Sequence, residues 1–170
     1  DRGLSYGDGA FRTFLVKNGY PINWGMHYKK LKVDAEIFKI NVPTQRALLL
    51  DIKKLFSINK TYICKIIITR GISNQGYQYK KNIKSTRIVL KINYKKINKV
   101  FYLNGVRLQV CNTRVSHNEI YAGAKHLNRM DNILAKAELS NSVFDGVMLD
   151  KDDLINECVS SNIFARYGKS

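Results

Sequence analysis

The alternation of apolar and polar positions predicts a chain that mixes helices and strands. Apolar residues at helical spacing predict three helices, one beginning at Trp24 after an Asn23 cap and two covering residues 44–56 and 127–137. Runs rich in β-branched and aromatic residues predict strands at residues 11–17, 62–69, 87–93, 106–111, 143–149, 154–159 and 163–167. Three glycines among the first ten residues predict a turn-rich loop. The order of these elements predicts an α+β fold.

The same pattern predicts two domains joined by a linker. Residues 1–112 hold two of the predicted helices and several strands, and we expect them to form an N-terminal α+β domain. Residues 113–124 have few periodic apolar positions and are interpreted as the linker. Residues 125–170 are expected to begin a C-terminal domain.

Composition adds a strong basic charge, because 29 Lys and Arg against 13 Asp and Glu give a formal net charge of +16. No acidic residue occurs in residues 52–118, which contain fifteen Lys and Arg. Such a span suggests a polyanion partner. However, its lysines interrupt strand-like runs rich in Ile, Asn and Tyr, and no groove-reading motif is present. We therefore do not expect a nucleic-acid partner, while the charge is compatible with small anionic substrates.

The cysteines, the apolar runs and the histidines exclude other classes. Three cysteines, odd in number and without a CxxC pair, are interpreted as reduced thiols of a cytoplasmic protein. No run approaches the roughly 20 apolar residues of a membrane helix, and the first residues are not typical of a signal peptide. The scattered histidines have no metal-ligand spacing, so neither a membrane nor a metal partner is expected.

Three segments carry the motifs that indicate chemistry. They are DRGLSYGDGAFRTF at residues 1–14, AGAKHLNRMDNILAKAEL at residues 122–139 and LINECVSSNIFARYGK at residues 154–169. Together they resemble the class IV aminotransferase family, the fold-type IV pyridoxal-phosphate enzymes. The run Lys-His-Leu-Asn-Arg from Lys125 to Arg129 is similar to the lysine motif of the aminodeoxychorismate lyases in that family.

The resemblance implies a fold and a cofactor site. The fold is the two-domain fold-type IV architecture, with a complete or nearly complete N-terminal domain and the first part of the C-terminal domain. The cofactor is pyridoxal 5'-phosphate, and Lys125 is the lysine that bears it. Small residues at 122–124 would let a flat ring approach, and a position just ahead of the predicted helix would help to keep the amine neutral. Glu157 is implied to face the pyridine nitrogen and Asn162 to shape the same pocket.

Three further cations are candidate site residues. His27-Tyr28-Lys29-Lys30-Leu31 resembles the family's His-x-x-Arg-Leu, whose arginine contacts the cofactor phosphate. Lys30 keeps the charge and loses the two-pronged geometry of arginine, so a weaker grip on phosphate is expected. Arg70, in an Arg-Gly loop, and Arg114, in the predicted linker, are candidates for contacting substrate carboxylates.

The activity implied by the resemblance is the conversion of 4-amino-4-deoxychorismate to 4-aminobenzoate and pyruvate by a homodimeric lyase. Two alternatives stay open, a branched-chain or D-amino-acid transaminase of the same fold and a truncated, non-catalytic remnant. The resemblance also implies that the chain is incomplete at both ends. We therefore expect these 170 residues alone to bind the cofactor weakly.

Overall fold

A computed structural model describes residues 1–74 and 76–168, which form two compact units. The first unit contains residues 1–95 and 120–128, and the second contains residues 96–119 and the residues from Arg129 on. No helix within the described ranges is both long enough and apolar enough to cross a membrane.

The first unit is built on a four-stranded antiparallel sheet with the strand order β2-β1-β3-β4. Its elements in chain order are α1 (Arg2–Tyr6), β1 (Gly9–Lys17), β2 (Tyr20–Pro21), α2 (Trp24–Ile37), α3 (Gln45–Leu55), β3 (Thr61–Thr69) and β4 (Thr86–Asn93). The long pairing of β1 with β3 runs from Gly9 opposite Thr69 to Lys17 opposite Thr61. This pairing places the amino end of β1 and the carboxyl end of β3 side by side.

The core of the first unit lies between one face of this sheet and helices α2 and α3. Alternation along β3 buries Cys64, Ile66 and Ile68, and the helices contribute buried residues such as Leu48 to the same cluster. The predicted helix over 44–56 is confirmed, since the Thr44 side chain accepts a hydrogen bond from the Ala47 amide at 3.3 Å and caps α3. The apolar spacing and the cap together explain why this segment is helical.

The second unit contains a smaller three-stranded sheet with the order β5-β6-β7. Its elements are α4 (Lys99–Asn104), β5 (Leu108–Val110), α5 (Met130–Ala137), β6 (Asp145–Leu149) and β7 (Ile155–Cys158). Strand β6 pairs parallel with β5 and antiparallel with β7. The buried apolar cluster consists of Cys111, Ala135 and Met148.

Several local predictions are wrong. The opening residues form the short helix α1, because Asp1 Oδ1 accepts a hydrogen bond from the Gly3 amide at 2.8 Å and Gly7, with φ 66°, ends the helix. Asn23 does precede α2, but its φ is 52° and its side chain makes no capping bond. Residues 163–167 form no strand, and helix α4, capped by Asn98, was not predicted.

The grouping of the chain into units differs from the predicted division into residues 1–112 and 125–170. The chain leaves the first unit after residue 95, returns for residues 120–128 and then leaves again. The returning segment is held by backbone contacts with β1, including a bridge between Ala10 and His126. Such pairing depends on residues more than a hundred positions apart, and no local pattern of polarity indicates it.

Candidate active site

Lys125 lies in the segment that pairs with β1. Its carbonyl accepts a hydrogen bond from the Phe11 amide at 2.9 Å, and the Leu127 amide donates to the Gly9 carbonyl at 3.0 Å. A Cβ atom at Gly9 would lie 2.6 Å from Leu127 Cδ1 and 2.7 Å from the Ile68 carbonyl oxygen, so this approach requires glycine. The half-buried side chain of Lys125 places Nζ 5.5 Å from the centroid of the Phe11 ring. Backbone hydrogen bonds within the first unit therefore fix the main chain of Lys125, from which the side-chain amine extends.

The two residues before Lys125 differ in their surroundings. Ala124 is buried, whereas Gly123 has φ 76° and no atom within 4 Å of the position that a Cβ would take. The helix after the lysine starts later than predicted, because α5 begins at Met130 and four residues separate it from Lys125. A helix dipole acts within about the first turn. We therefore do not attribute the activation of Lys125 to this helix.

Lys30, on α2, already has two partners. Its Nζ donates to Asp34 Oδ1 one helical turn away and to the carbonyl oxygen of Gly123 at 2.9 Å. Asp34 is fully buried, and its Oδ2 lies 3.9 Å from Arg12 Nη1. Burial, and secondarily the charge of Arg12, hold the pKa of His27 below its ordinary value, which favours a neutral imidazole. The predicted phosphate contact is thus part of a cluster of two cations and one carboxylate.

Arg12 contributes a feature that the sequence interpretation did not single out. Its Nε is buried and has no hydrogen-bond acceptor among the described residues. A buried guanidinium N–H without an acceptor is uncommon, because leaving it unpaired costs about 1–3 kcal/mol. Together with Lys30, this donor is available to an anion, while Asp34 Oδ2 in the same cluster is a buried acceptor that also has no hydrogen-bond partner among the described residues.

Arg70 is buried, and its guanidinium group is used by neighbouring protein groups. It donates to both carboxylate oxygens of Asp8, at 2.7 and 3.0 Å, and to the carbonyls of Phe38 at 2.6 Å and Lys39 at 3.2 Å. Its carbon Cζ lies 3.7 Å from the centroid of the Tyr79 ring. Contact with a substrate carboxylate stays a prediction for this residue, and the observed partners describe a structural role.

Arg2, from the opening motif, shares the same carboxylate. Its Nε donates to Asp8 Oδ2 at 2.9 Å, and its terminal nitrogens donate to the carbonyls of Gly76, Tyr77 and Gln78. Burial raises the pKa of Asp8, but hydrogen bonds and charges from Arg70 and Arg2 outweigh it, so the pKa lies below its ordinary value. The motif therefore ties the first turn of the chain to the Arg-Gly loop. Gln75, in that loop, lies outside the described residues.

Glu157 belongs to the second unit, where it lies on β7. Its Oε1 accepts a hydrogen bond from Asn132 Nδ2 at 3.1 Å and lies 3.5 Å from Arg129 Nη1. The side chain is 40% exposed, so the carboxylate remains accessible to a further donor. Asn162 follows the strand in an exposed, irregular stretch. Its predicted role in the cofactor pocket stays a prediction.

Arg114, also in the second unit, is held by local partners. Its Nη1 donates to the carbonyls of Cys111 at 2.9 Å and Asn112 at 3.2 Å. Its Nη2 donates to Asp153 Oδ1 at 2.7 Å. These contacts fix the residue in the irregular stretch after β5, and its predicted contact with substrate stays a prediction.

Asp145, at the start of β6, is a buried charge that the sequence interpretation missed. Its carboxylate accepts hydrogen bonds from the amides of Gly146 at 3.0 Å, Ser160 at 3.1 Å and Ser161 at 2.8 Å. Burial raises its pKa, but a hydrogen bond from the Ser161 side chain and the bonds from these amides outweigh burial and hold the pKa below its ordinary value. The carboxylate therefore anchors the turn that follows Glu157. An acidic residue inside an apolar run was the available signal.

Comparison with known proteins assigns the chain to a family. Residues 9–170 match the family model for amino-transferase class IV. The chain belongs to this family. The predicted resemblance is thereby confirmed, and enzymes of the family use pyridoxal phosphate.

Individual relatives include lyases and a transaminase. The aminodeoxychorismate lyase of Vibrio harveyi is 29% identical over 96% of this chain and 61% of its own length. A crystal structure of 4-amino-4-deoxychorismate lyase from Pseudomonas aeruginosa is 34% identical, with a TM-score of 0.87 over 95% of this chain and 60% of that one. A putative branched-chain-amino-acid aminotransferase of Methanocaldococcus jannaschii is 25% identical over 96% of this chain and 58% of its length. The chain thus has the fold-type IV architecture and spans about three fifths of the length of these relatives.

Proposed function

We propose that this chain is the part of a pyridoxal-phosphate-dependent lyase that carries the cofactor lysine. In this proposal, 4-amino-4-deoxychorismate is converted to 4-aminobenzoate and pyruvate. The observation that carries the proposal is the Lys-His-Leu-Asn-Arg run at Lys125, in a chain whose relatives include two proteins named as this lyase. The activity of the whole protein is inferred from this similarity.

The described residues offer the groups that such a cofactor needs. The first unit has a half-buried primary amine at Lys125, a glycine two residues earlier whose Cβ position is open, and the cation of Lys30 with the unpaired Nε of Arg12 for a phosphate. The second unit has the accessible carboxylate of Glu157, which the family resemblance assigns to the pyridine nitrogen. These groups support the assignment of pyridoxal phosphate as the cofactor.

The reaction requires a base and no co-reactant. The bound cofactor supplies an electron sink. The Lys125 amine removes the proton from the ring carbon that bears the substrate's amino group. The carbon–oxygen bond to the enolpyruvyl group then breaks, and that group leaves as pyruvate after regaining a proton. Because the ring becomes aromatic, much of the driving force comes from the substrate, and the protein supplies position and a proton carrier.

The test is to incubate the chain with 4-amino-4-deoxychorismate and a large excess of pyridoxal phosphate, since weak binding is expected, and without any 2-oxo acid. We expect pyruvate and 4-aminobenzoate in equal amounts, and no product from a Lys125→Ala variant. A Lys29→Arg variant is the matched control, because this exposed lysine lies on α2 outside the cluster. Product formation that survives in Lys125→Ala would overturn the proposal.

A transaminase is the second candidate, favoured by the 25% identity to the putative branched-chain-amino-acid aminotransferase. A transaminase needs an amino-group acceptor, whereas the lyase reaction does not. Glutamate formed from 2-oxoglutarate and a branched-chain amino acid, with no release of pyruvate from 4-amino-4-deoxychorismate, would favour this alternative.

A further inference from the structure

The cluster formed by Lys30 and Asp34 of α2 and Arg12 of β1 combines two kinds of charge. Lys30 is the cation that the family resemblance implies to bind phosphate, and Asp34 is a buried carboxylate of opposite charge. Asp34 is fully buried, whereas the Lys30 side chain is 42% exposed. The carboxylate is thus held inside the unit, and the ammonium group lies between it and solvent. An anion that approaches Lys30 therefore also meets the field of a carboxylate that water screens poorly.

The second contact of Lys30 indicates how the Asp34 carboxylate positions this lysine. Lys30 Nζ donates to the Gly123 carbonyl, two residues before Lys125. The pair with Asp34 holds the lysine in that orientation, so the ammonium group connects α2 to the turn that precedes Lys125. Arg12, 3.9 Å from the other carboxylate oxygen, supplies the second positive charge of the cluster. Counted formally, two basic side chains and one carboxylate give the cluster a net charge of about +1.

We propose that Asp34 is an affinity-determining residue, which holds Lys30 on the Gly123 carbonyl and lowers the affinity of this cluster for a phosphate group. The inference rests on the proposed function in placing a phosphate group at Lys30. It goes beyond that function because it attributes the expected weak affinity for phosphate to the Asp34 carboxylate, and not only to the presence of Lys30 where the family has arginine. Removal of the Asp34 charge raises the net charge of the cluster to about +2 and leaves Lys30 a donor without its counter-ion.

The experiment titrates the full 170-residue chain with inorganic phosphate and follows binding by 31P NMR and calorimetry. We expect Asp34→Asn to bind phosphate roughly ten-fold more tightly than the natural chain, since a poorly screened charge has been removed. The matched control is Glu36→Gln, which removes the same charge from an i,i+4 pair with Lys32 on the exposed face of the same helix. We expect the control to change phosphate affinity less than about two-fold, because exposed pairs are weak and screened.

A double-mutant cycle assigns the gain to Lys30. Measured against Lys30→Gln, the Lys30→Gln/Asp34→Asn variant should show a clearly smaller gain, because the cation that Asp34 holds is absent and only Arg12 remains. Circular dichroism establishes that each variant is folded, and Asp34→Ser replaces Asp34→Asn if the latter unfolds. Unchanged or weaker phosphate binding in the folded Asp34 variants would overturn the proposal. An equal gain in the double variant would also overturn it.

The phosphate titration and the product assay test the two proposals independently. Phosphate binding needs neither Lys125 nor substrate, so a gain in Asp34→Asn without any release of pyruvate would sustain this inference and contradict the proposed lyase. Pyruvate release by the natural chain, with equal phosphate affinity in the natural chain and Asp34→Asn, would sustain the lyase and overturn the role of Asp34.

Discussion

The two units hold their candidate functional residues in different ways. Among the described residues, the buried apolar cluster of the first unit has twelve members and that of the second has three. The segment carrying Lys125 is paired with β1, a strand of the well-packed sheet. Glu157, in contrast, is oriented by Asn132, and the turn after it is anchored by Asp145.

This difference contrasts two ways of stabilising a fold, apolar burial and polar hydrogen bonding. Apolar burial stabilises roughly in proportion to the area removed from water and has no preferred direction. Polar anchoring depends on a few hydrogen bonds, each with its own geometry and titration. The first unit should therefore respond most to changes in packing, and the second to changes in pH or in single polar groups.

The largest expected effect comes from the core of the first unit. Leu48→Ala should lower the free energy of unfolding by about 2–5 kcal/mol, because it removes a fully buried side chain from the apolar cluster. Leu50→Ala, at a half-exposed position on the same helix, is the control and should have a much smaller effect. Urea unfolding measures both. Equal losses would contradict the view that packing orders this unit.

The second unit should respond most to Asp145. Asp145→Ala should destabilise by about 1–3 kcal/mol, because the amides of Gly146, Ser160 and Ser161 lose their acceptor. The exposed Asp152→Asn is the control. Urea unfolding at pH 7 measures both variants.

The effect of Asp145 should also depend on pH. The pKa of its carboxyl is lower in the folded chain than in the unfolded chain. Its stabilisation is therefore present above the ordinary aspartate pKa of about 3.9 and is lost as the pH falls through the folded value. The difference between the natural chain and Asp145→Asn should shrink over that range. If this difference in stability grew as the pH fell, the ionised form of Asp145 would not be the stabilising one.

The smallest expected effect, at Gly25, is measured against Gly9, another glycine of the first unit. Gly9→Ala should destabilise by about 1–3 kcal/mol, since its Cβ would press on Leu127 and on the Ile68 carbonyl, where the lysine segment pairs with β1. Gly25→Ala, on α2, meets no atom within 4 Å and should stabilise by about 0.5–1 kcal/mol. Thermal unfolding compares them. Loss of stability in both would show that the close approach at Gly9 is not the cause.

Local patterns predicted much of the fold, because helix 45–55 and strands 61–69 and 86–93 have clear periodicity. Residues 163–167 have the composition of a strand but no partner in the described residues, and composition alone cannot supply one. For the site, the spacing of Lys30 and Asp34 was visible in the sequence. The complete burial of Asp34 depends on packing between distant segments, and this was not visible.

Reductive labelling identifies the lysine that bears the cofactor, which we expect to be Lys125. The chain is saturated with pyridoxal phosphate, treated with borohydride and digested, and the modified peptide is identified by mass spectrometry. We expect a phosphopyridoxyl group on Lys125, retention of this label in Lys29→Arg and its loss in Lys125→Arg. A label on another lysine, with Lys125 unmodified, would contradict the assignment of Lys125 as the cofactor lysine.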